Sequence, residues 1–190
     1  MTNTAIPGDV SIFFIENPML DLMVNDPDHV LIEKYKLKLG MACLASPEQM
    51  PIMDDIYNTE GSLATPGGSA LNSARTCNFT MKKHGKGKVA FMGSIGDDIK
   101  GRTLVNCLES DGITEVMYRA ENAKTATCAV VVVRTERTLC CALEACSLLP
   151  TSHLIENWVR DLNLIFAGLR RSSKIPLHNR FFHLQQQRSS

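Results

Sequence analysis

The segment Pro66-Gly67-Gly68-Ser69 constrains the fold most, because two consecutive glycines open a stretch of helical periodicity. Small and apolar residues recur at helical spacing from Ala70 to Met81 and predict a helix that runs to about His84 and packs on a sheet. Glycine has no Cβ, so a ligand can approach the backbone closely, and the first N–H groups of the helix are free to donate. The pattern predicts a polar ligand at the helix start, with Asn72 one turn inside. Alternatively, the glycines only end a loop and Ser69 caps the helix.

Asp21 is a second candidate for ligand binding. Ser11–Ile15 is a continuous apolar run, typical of a strand buried on both faces of a parallel sheet. Proline cannot continue a central strand, so Pro18 predicts that the strand has ended and that Asp21 lies in the turn beyond it. Ligands of open α/β sheets bind at that edge, and a carboxylate can accept hydrogen bonds from both hydroxyls of a sugar diol. The alternative is an ordinary turn aspartate.

The rest of the chain alternates strand and helix patterns, which is typical of α/β proteins. The β-rich segments Thr125–Arg134 and Thr138–Leu143 are separated by three residues and predict a hairpin. Together with Glu115–Arg119, they need not join the main sheet. The other predicted elements are strands at Met41–Ala45, Val89–Met92 and Leu162–Phe166, helices at Asp28–Tyr35 (Asp28 as a possible cap), Pro47–Tyr57, Leu104–Gly112 and Ile155–Val159, and loops at Asn58–Pro66 and Gly93–Gly101.

Length and charge limit the classes of function. The chain has 190 residues, 44% of them hydrophobic, which suits one α/β domain. Twenty basic residues balance twenty acidic ones, so no global charge attracts nucleic acid or a membrane. The seven cysteines form no C-x-x-C pair and are expected to be reduced thiols. No apolar run approaches about 18 residues and the start of the chain lacks a secretory pattern, so we expect a cytoplasmic protein with access to the nucleus by diffusion.

The composition changes after Gly168. Residues 169–190 include arginines and lysine but no acidic residue, and end in a glutamine run and two serines. Such a composition predicts a disordered tail. A basic tail with adjacent phenylalanines could contact RNA, but an unrelated terminus looks the same, so no nucleic-acid partner is assigned.

Four motifs in order make the chain resemble the adenosine kinases of the ribokinase-like (PfkB) carbohydrate kinase family. The resemblance covers about Ile12 to Gly168 and implies a large α/β domain with a small β-rich lid, between which the nucleoside is held. We accordingly expect a partial ribokinase-like fold in residues 1–168 and an unrelated tail in residues 169–190. The motifs are Asn17-Pro18-x-Leu20-Asp21, Gly67-Gly68-Ser69-x-x-Asn72-Ser73, Gly93-x-Ile95-Gly96-x-Asp98-x-x-Gly101 and Thr125-x-Thr127-Cys128.

The resemblance also implies roles for individual residues. Asp21 matches the carboxylate that binds the ribose hydroxyls, and the segment with Gly68, Ser69 and Asn72 matches the cradle of the same sugar. Leu44 and Leu143 match apolar residues that flank the nucleoside, and Asn17 belongs to the first motif. The implied reaction transfers the γ-phosphate of ATP, with magnesium, to the 5′-hydroxyl of adenosine.

The sequence departs from the family in three places. Glu16 stands where the family has glycine, which predicts a charged side chain that blocks the ribose site or is desolvated beside it. Ala142 and Glu144 alter the segment around Leu143. The Gly-Ala-Gly-Asp type motif that supplies the catalytic base and the anion hole is absent from these 190 residues. No catalytic residue is therefore assigned. The open alternatives are an inactive truncated product that binds nucleoside weakly or associates with a full-length kinase, and another sugar kinase of the superfamily. We also expect self-association through an exposed sheet edge.

Overall fold

A computed structural model describes residues 10–85 and 87–158, which form two β-sheets with helices packed against them. In chain order the elements are β1 (Val10–Ile15), β2 (Met19–Asn25), α1 (Val30–Lys34), β3 (Ala42–Leu44), α2 (Ile52–Tyr57), β4 (Leu63–Gly67), α3 (Ser69–Lys83), β5 (Lys88–Gly96), α4 (Ile99–Asp111), β6 (Thr114–Ala120), β7 (Thr127–Val133), β8 (Glu136–Ala142), a 3-10 turn (Glu144–Leu148) and α5 (Thr151–Trp158).

The first sheet has three parallel strands in the order β1-β5-β6. This confirms the strand predicted at Ser11–Ile15, but the prediction that it is buried on both faces is wrong. Among the described strands it stands at one end of the order, and Phe13 and Phe14 are only partly buried. Of the three β-rich segments that were predicted to be separable from the main sheet, Glu115–Arg119 joins this sheet beside β5. The other two form the hairpin β7-β8 in the second sheet.

The second sheet has five strands in the order β3-β8-β7-β2-β4. It is mixed, because β8 and β4 run antiparallel to their neighbours β7 and β2, while β2 with β7 and β3 with β8 are parallel pairs. The predicted hairpin of Thr125–Arg134 with Thr138–Leu143 is confirmed as the β7-β8 pair. A small β-rich sheet beside a parallel sheet with helices is the partial ribokinase-like arrangement that the motifs imply.

Two segments near the candidate site were predicted wrongly as loops or turns. Asp21 lies inside β2 rather than in a turn, because Leu20, Leu22 and Val24 alternate inward and give the segment a strand period. The predicted loop Asn58–Pro66 contains the start of β4, which gains its order by pairing antiparallel with β2.

The helix bounds differ from the predictions mainly at their starts. The predicted helix behind the glycines is confirmed, and Gly112 ends α4 in the left-handed conformation as expected. The N-cap position of α1 is His29, and Asp26 rather than Asp28 supplies the carboxylate that accepts from the N–H groups of Val30, Leu31 and Ile32 at 2.8–3.2 Å. The predicted helix at Pro47–Tyr57 becomes regular only in α2, and Gly93–Gly96 belongs to β5 rather than to a loop.

The four sequence motifs meet at the seam where the chain crosses between the two sheets. A Cβ on Gly68 would lie 2.8 Å from the carbonyl oxygen of Asn17, and a Cβ on Gly93 would lie 2.4 Å from Pro18 Cδ. A Cβ on Gly96 would lie 2.7 Å from the Thr125 nitrogen. The motif glycines therefore allow backbone segments of different sheets to touch, which explains part of their spacing without any ligand.

The main core lies between the inner face of the five-stranded sheet, the three-stranded sheet and helices α2, α3 and α4. Its fully buried side chains include Leu20, Leu22, Leu71, Phe91 and Leu104. No helix in residues 10–85 and 87–158 is long and apolar enough to cross a membrane. The predicted strand Leu162–Phe166 and the predicted tail lie outside the described residues.

Candidate functional site

One lateral row of side chains crosses all five strands of the second sheet. Residues that are register partners in a sheet project from the same face. Asp21 is the partner of both Thr65 and Cys128, Cys128 is the partner of Cys141, and Cys141 is the partner of Leu44. Leu20, Leu22, Ala129 and Val131 alternate with this row and point into the core, so the row lies on the opposite face. We call Thr65, Asp21, Cys128, Cys141 and Leu44 the Asp21 row.

Asp21 is the polar centre of this row. Its side chain is half-buried, and within the described part of the chain its carboxylate accepts no hydrogen bond and forms no ion pair. Burial raises the pKa of Asp21 above its ordinary value, although the positive charge of Arg137 on β8 opposes that rise. A half-buried carboxylate without a donor can accept hydrogen bonds from a ligand.

The glycine pair leaves space for this carboxylate and leads into α3. A Cβ on Gly67 would lie 2.2 Å from both Cγ and Oδ1 of Asp21, so the carboxylate occupies the position that any side chain at Gly67 would need. Gly68 follows with φ 100°, a conformation that side chains rarely adopt, and is the N-cap of α3 without a side-chain cap. The two glycines thus form a tight turn into α3, and the alternative in which Ser69 caps the helix is wrong.

Ser69 and Asn72 lie on the exposed face of the first turn of α3. The backbone N–H of Asn72 donates to the Gly68 carbonyl at 2.9 Å, and the Ser69 carbonyl accepts from the Ser73 hydroxyl at 2.9 Å. The side-chain amide of Asn72 makes no hydrogen bond with any described residue. Both side chains are thus available to a polar ligand at the positive end of the helix dipole.

The other predicted site residues lie at different distances from Asp21 in the sheet. Leu44 ends the Asp21 row on the edge strand β3, and 66% of its surface is exposed. Leu143 directly follows β8, leaves the sheet in a helical conformation and is partly buried. Asn17 contributes its backbone carbonyl to the contact with Gly68. The sheet thus brings Asp21 and Leu44 to one face, and Gly68 follows β4 beside the Asn17 carbonyl.

Glu16 does not have the environment that the sequence predicted. Its side chain is exposed, and Oε1 accepts from the N–H of Asn17 at 3.2 Å. Its backbone is outside the positive-φ region, so the glycine of the family is not required here by conformation. The prediction of a charge that is desolvated in the turn is therefore wrong.

The second glycine segment has a different chemistry from the first. Asp98 caps α4, and its carboxylate accepts from the Gly101 N–H at 2.7 Å, the Thr125 N–H at 2.8 Å and the Thr125 hydroxyl at 2.7 Å. Partial burial alone would raise the pKa of Asp98, but these hydrogen bonds outweigh it and hold the pKa below its ordinary value. Three donors from the fold satisfy both oxygens of this carboxylate, so this motif joins the two sheets.

A separate cleft of about 200 Å³ lies beside α2 and contains none of the predicted site residues. Lys100 in this cleft is paired with Asp54 at 3.2 Å, and burial raises the pKa of Glu144, which sits there with φ 38°. Within residues 10–85 and 87–158, no three His, Cys, Asp or Glu side chains are grouped so that they could hold a metal ion.

Sequence reasoning missed Cys128, Cys141, Thr65 and Arg137 as neighbours of Asp21. They come from three strands far apart in the chain, and only the register brings them together. The alternation of Leu20, Leu22 and Val24 was the one local signal that Asp21 lies in a strand and points away from the core.

Comparison with known proteins gives a consistent family assignment. The model of the pfkB family carbohydrate kinases matches residues 57–165. The adenosine kinase of Dictyostelium discoideum is 30% identical over 146 residues, which are 77% of this chain and 42% of that protein.

Solved structures are similar as well. The apo adenosine kinase of Trypanosoma brucei brucei superposes with a TM-score of 0.71 at 32% identity, over 77% of this chain and 44% of that one. The adenosine kinase of Schistosoma mansoni in complex with adenosine gives a TM-score of 0.66 at 26% identity, over 79% of this chain and 42% of that one. The chain thus spans less than half the length of the relatives it matches.

Proposed function

Because this chain belongs to the pfkB family of carbohydrate kinases, we propose that it carries the ribose-binding part of an adenosine kinase. The complete reaction would transfer the γ-phosphate of ATP to the 5′-hydroxyl of adenosine and form AMP. The single observation that carries the proposal is the carboxylate of Asp21, which is half-buried, lacks a donor among the described residues and lies directly against Gly67.

The chemistry of the Asp21 row suits a nucleoside. The two oxygens of Asp21 would each accept from one ribose hydroxyl, at about 1.5–3 kcal/mol per charged hydrogen bond. Asn72 and the N–H groups at the start of α3 would contact the same sugar. Leu44 and Leu143 would flank the base, and Ser69 would line the sugar side of the cradle. The mostly apolar remainder of the row would exclude water from these polar contacts.

ATP and magnesium belong to this proposal only as co-substrate and cofactor of the whole enzyme. Bound together, they would supply the phosphoryl group and neutralise its charge. Among the described residues no three His, Cys, Asp or Glu side chains are grouped so that they could hold a metal ion, and the 190-residue sequence contains no Gly-Ala-Gly-Asp motif. Phosphoryl transfer is catalysed mainly by positioning and charge stabilisation. We therefore propose that this polypeptide alone binds nucleoside and does not phosphorylate it.

A second candidate is a non-catalytic product that associates with a full-length kinase or with itself. The observation in its favour is the edge strand β4, where Leu63, Ala64 and Thr65 are exposed and one side of the strand is unpaired within the described sheet. In either case we propose that residues 1–168 form the kinase portion and residues 169–190 a separate basic tail. The chain would act in the cytoplasm and reach the nucleus by diffusion.

The proposal is tested by titrating adenosine into the full chain, Asp21→Ala and the matched control Ser147→Ala, whose exposed hydroxyl donates to the Glu144 carbonyl away from the row. We expect binding to the wild type and the control, and a loss of at least about tenfold in Asp21→Ala, because a charged hydrogen bond disappears. Binding that is equal in all three proteins would contradict the site. Formation of AMP with ATP and magnesium by the wild type would contradict the inactivity.

A further inference from the structure

Cys128 and Cys141 are opposed thiols in the middle of the Asp21 row. They are register partners on the antiparallel strands β7 and β8, and their sulfur atoms lie 2.9 Å apart. Directly opposed residues of antiparallel strands have Cα atoms about 4.5 or 5.5 Å apart, and both values fall in the range of about 4.4–6.8 Å that a disulfide spans. A bond of about 2.05 Å between the sulfurs would need an approach of less than about 1 Å.

The sheet geometry separates this pair from the neighbouring thiols. Cys140 precedes Cys141 in the same strand and therefore points to the opposite face, where it is fully buried in the core. Its register partner is the exposed Cys43 on β3. Cys146 lies beyond the end of β8, in the 3-10 turn. Cys128 thus has one directly opposed thiol in the described sheet, and that thiol is Cys141.

The two thiols also differ in access. Cys141 is partly exposed on the open face, whereas only 4% of the surface of Cys128 is accessible. The hydrogen bond with Cys128 lowers the pKa of Cys141, and the same hydrogen bond together with burial raises the pKa of Cys128. The accessible thiol is thus also the one that ionises more readily, and thiolates are the nucleophilic form.

We propose that Cys128 and Cys141 are an oxidation site, at which a small peroxide converts the two thiols to a reversible cross-strand disulfide. The Cys141 thiolate attacks one peroxide oxygen, the O–O bond breaks, and a sulfenic acid and one water form. The Cys128 sulfur then attacks the Cys141 sulfur, the S–O bond breaks and a second water leaves. Overall, two thiols are oxidised, one hydrogen peroxide is reduced to two waters, and both thiol protons end in water. A dithiol reductant reverses the step by thiol–disulfide exchange.

The disulfide would change the surface beside Asp21. It would remove two thiols from the row and join β7 to β8 next to the carboxylate. This consequence for ligand binding rests on the proposed function, whereas formation of the bond itself does not.

The test uses the full reduced chain, treated with hydrogen peroxide, blocked with iodoacetamide and digested with trypsin. Cleavage after Lys124, Arg134 and Arg137 puts Cys128 in the peptide 125–134 and Cys141 in the peptide 138–160. Fragmentation of the bridged pair decides which of the three cysteines in the second peptide is bonded. Cys141→Ala is the test variant, and Cys43→Ala is the control from the same sheet. The treatment is repeated with adenosine present.

We expect a bridge from Cys128 to Cys141 in the wild type and in Cys43→Ala, released by dithiothreitol, and a drop of at least about tenfold in the yield of Cys128 bridged to any cysteine in Cys141→Ala. A bridge to Cys140 or Cys146, or no bridge while other thiols are oxidised, would overturn the inference. These wild-type readouts remain decisive even if Cys141→Ala does not fold.

Adenosine separates this inference from the proposed function. If both hold, adenosine slows formation of the bridge, because it covers the row. A bridge that forms at the same rate while no adenosine binds would refute the ribose site and leave the oxidation site intact. Adenosine binding without any bridge would refute the oxidation site alone.

Discussion

Two glycine segments precede helices in this molecule, and they use a nearby aspartate in opposite ways. At Gly67-Gly68 the Asp21 carboxylate is half-buried and has no donor among the described residues, and the start of α3 lacks a side-chain cap. At the other segment, Asp98 caps α4 and accepts three hydrogen bonds from Gly101 and Thr125. The pKa of Asp21 is raised mainly by burial, whereas hydrogen bonds hold the pKa of Asp98 low.

This difference shows that two glycine motifs of the same family can have different structural roles. The segment with Asp98 joins the two sheets, and the hydrogen bonds of its carboxylate come from within the described fold. The open segment, Gly67-Gly68 with Asp21, has polar groups that form no hydrogen bond within the described fold. Partial burial of such groups lowers stability unless a ligand or water pairs with them. Counting hydrogen bonds therefore distinguishes the unsatisfied carboxylate of Asp21, which we propose binds ligand, from the structural carboxylate of Asp98, where the sequence pattern does not.

The largest effect is expected from Asp98→Ala. The change removes the cap of α4 and leaves the Gly101 and Thr125 donors without their acceptor, so the free energy of unfolding should fall by about 2–3 kcal/mol. Urea unfolding at fixed protein concentration measures it. Asp97→Ala, at the exposed neighbouring position, should be nearly neutral. An equal loss of unfolding free energy in both variants would mean that the hydrogen bonds of Asp98 do not stabilise the contact between the two sheets.

The pH dependence of Asp98 gives an independent check of its hydrogen bonds. Its folded-state pKa is below the ordinary value, so its contribution is fully present above the unfolded pKa and is lost as the pH falls through the folded pKa. The difference in unfolding free energy between the wild type and Asp98→Ala should therefore shrink in acid. A difference that stays constant down to the acid-unfolding region would contradict the hydrogen bonding.

The next largest effect should come from Gly67→Ala in the open segment. The added methyl group would occupy the place of the Asp21 carboxylate, so adenosine affinity should fall by at least about tenfold through loss of a charged hydrogen bond. Calorimetric titration measures the affinity. Ala64→Ser, on an exposed position of the same strand, is the control. Unchanged affinity in Gly67→Ala would show that the carboxylate tolerates displacement.

A smaller effect is expected from Arg137→Gln. Adenosine should bind to the ionised form of Asp21, so affinity should fall as the pH is lowered through a midpoint above the ordinary aspartate pKa. Removing the Arg137 charge should move that midpoint further up while changing affinity at neutral pH by less than about twofold, because the guanidinium is exposed and screened. Arg134→Gln, in the hairpin turn, serves as the control. A downward shift of the midpoint in Arg137→Gln would show that the Arg137 charge does not lower the pKa of Asp21.

The smallest effect is expected from Glu16→Gly. The side chain is exposed and the backbone does not need glycine, so adenosine affinity should change by less than about twofold. Titration of both proteins under identical conditions measures it. A strong gain in affinity would mean that Glu16 obstructs the nucleoside after all, as the sequence alone suggested.

The sequence predicted the parts of the fold that depend on local patterns. Helix α3 and the hairpin β7-β8 were predictable because periodicity, glycines and a short connection act within a few residues. The edge strand β4 was not, because its strand conformation comes from pairing with β2. Residue types suggested Asp21, Gly68, Ser69 and Asn72 as candidates. The row that joins Asp21 to Cys128, Cys141 and Leu44 depends on the register of distant strands, which no local pattern encodes.

The most direct test of the central claim is a cycle of two proteins and two ligands, measured by calorimetry. The proteins are the wild type and Asp21→Asn, and the ligands are adenosine and 2′-deoxyadenosine. If Asp21 accepts from the ribose diol, loss of the 2′-hydroxyl should weaken binding to the wild type by about tenfold or more and should matter much less in Asp21→Asn. An equal penalty for 2′-deoxyadenosine in both proteins would show that Asp21 does not contact the diol and would contradict the account.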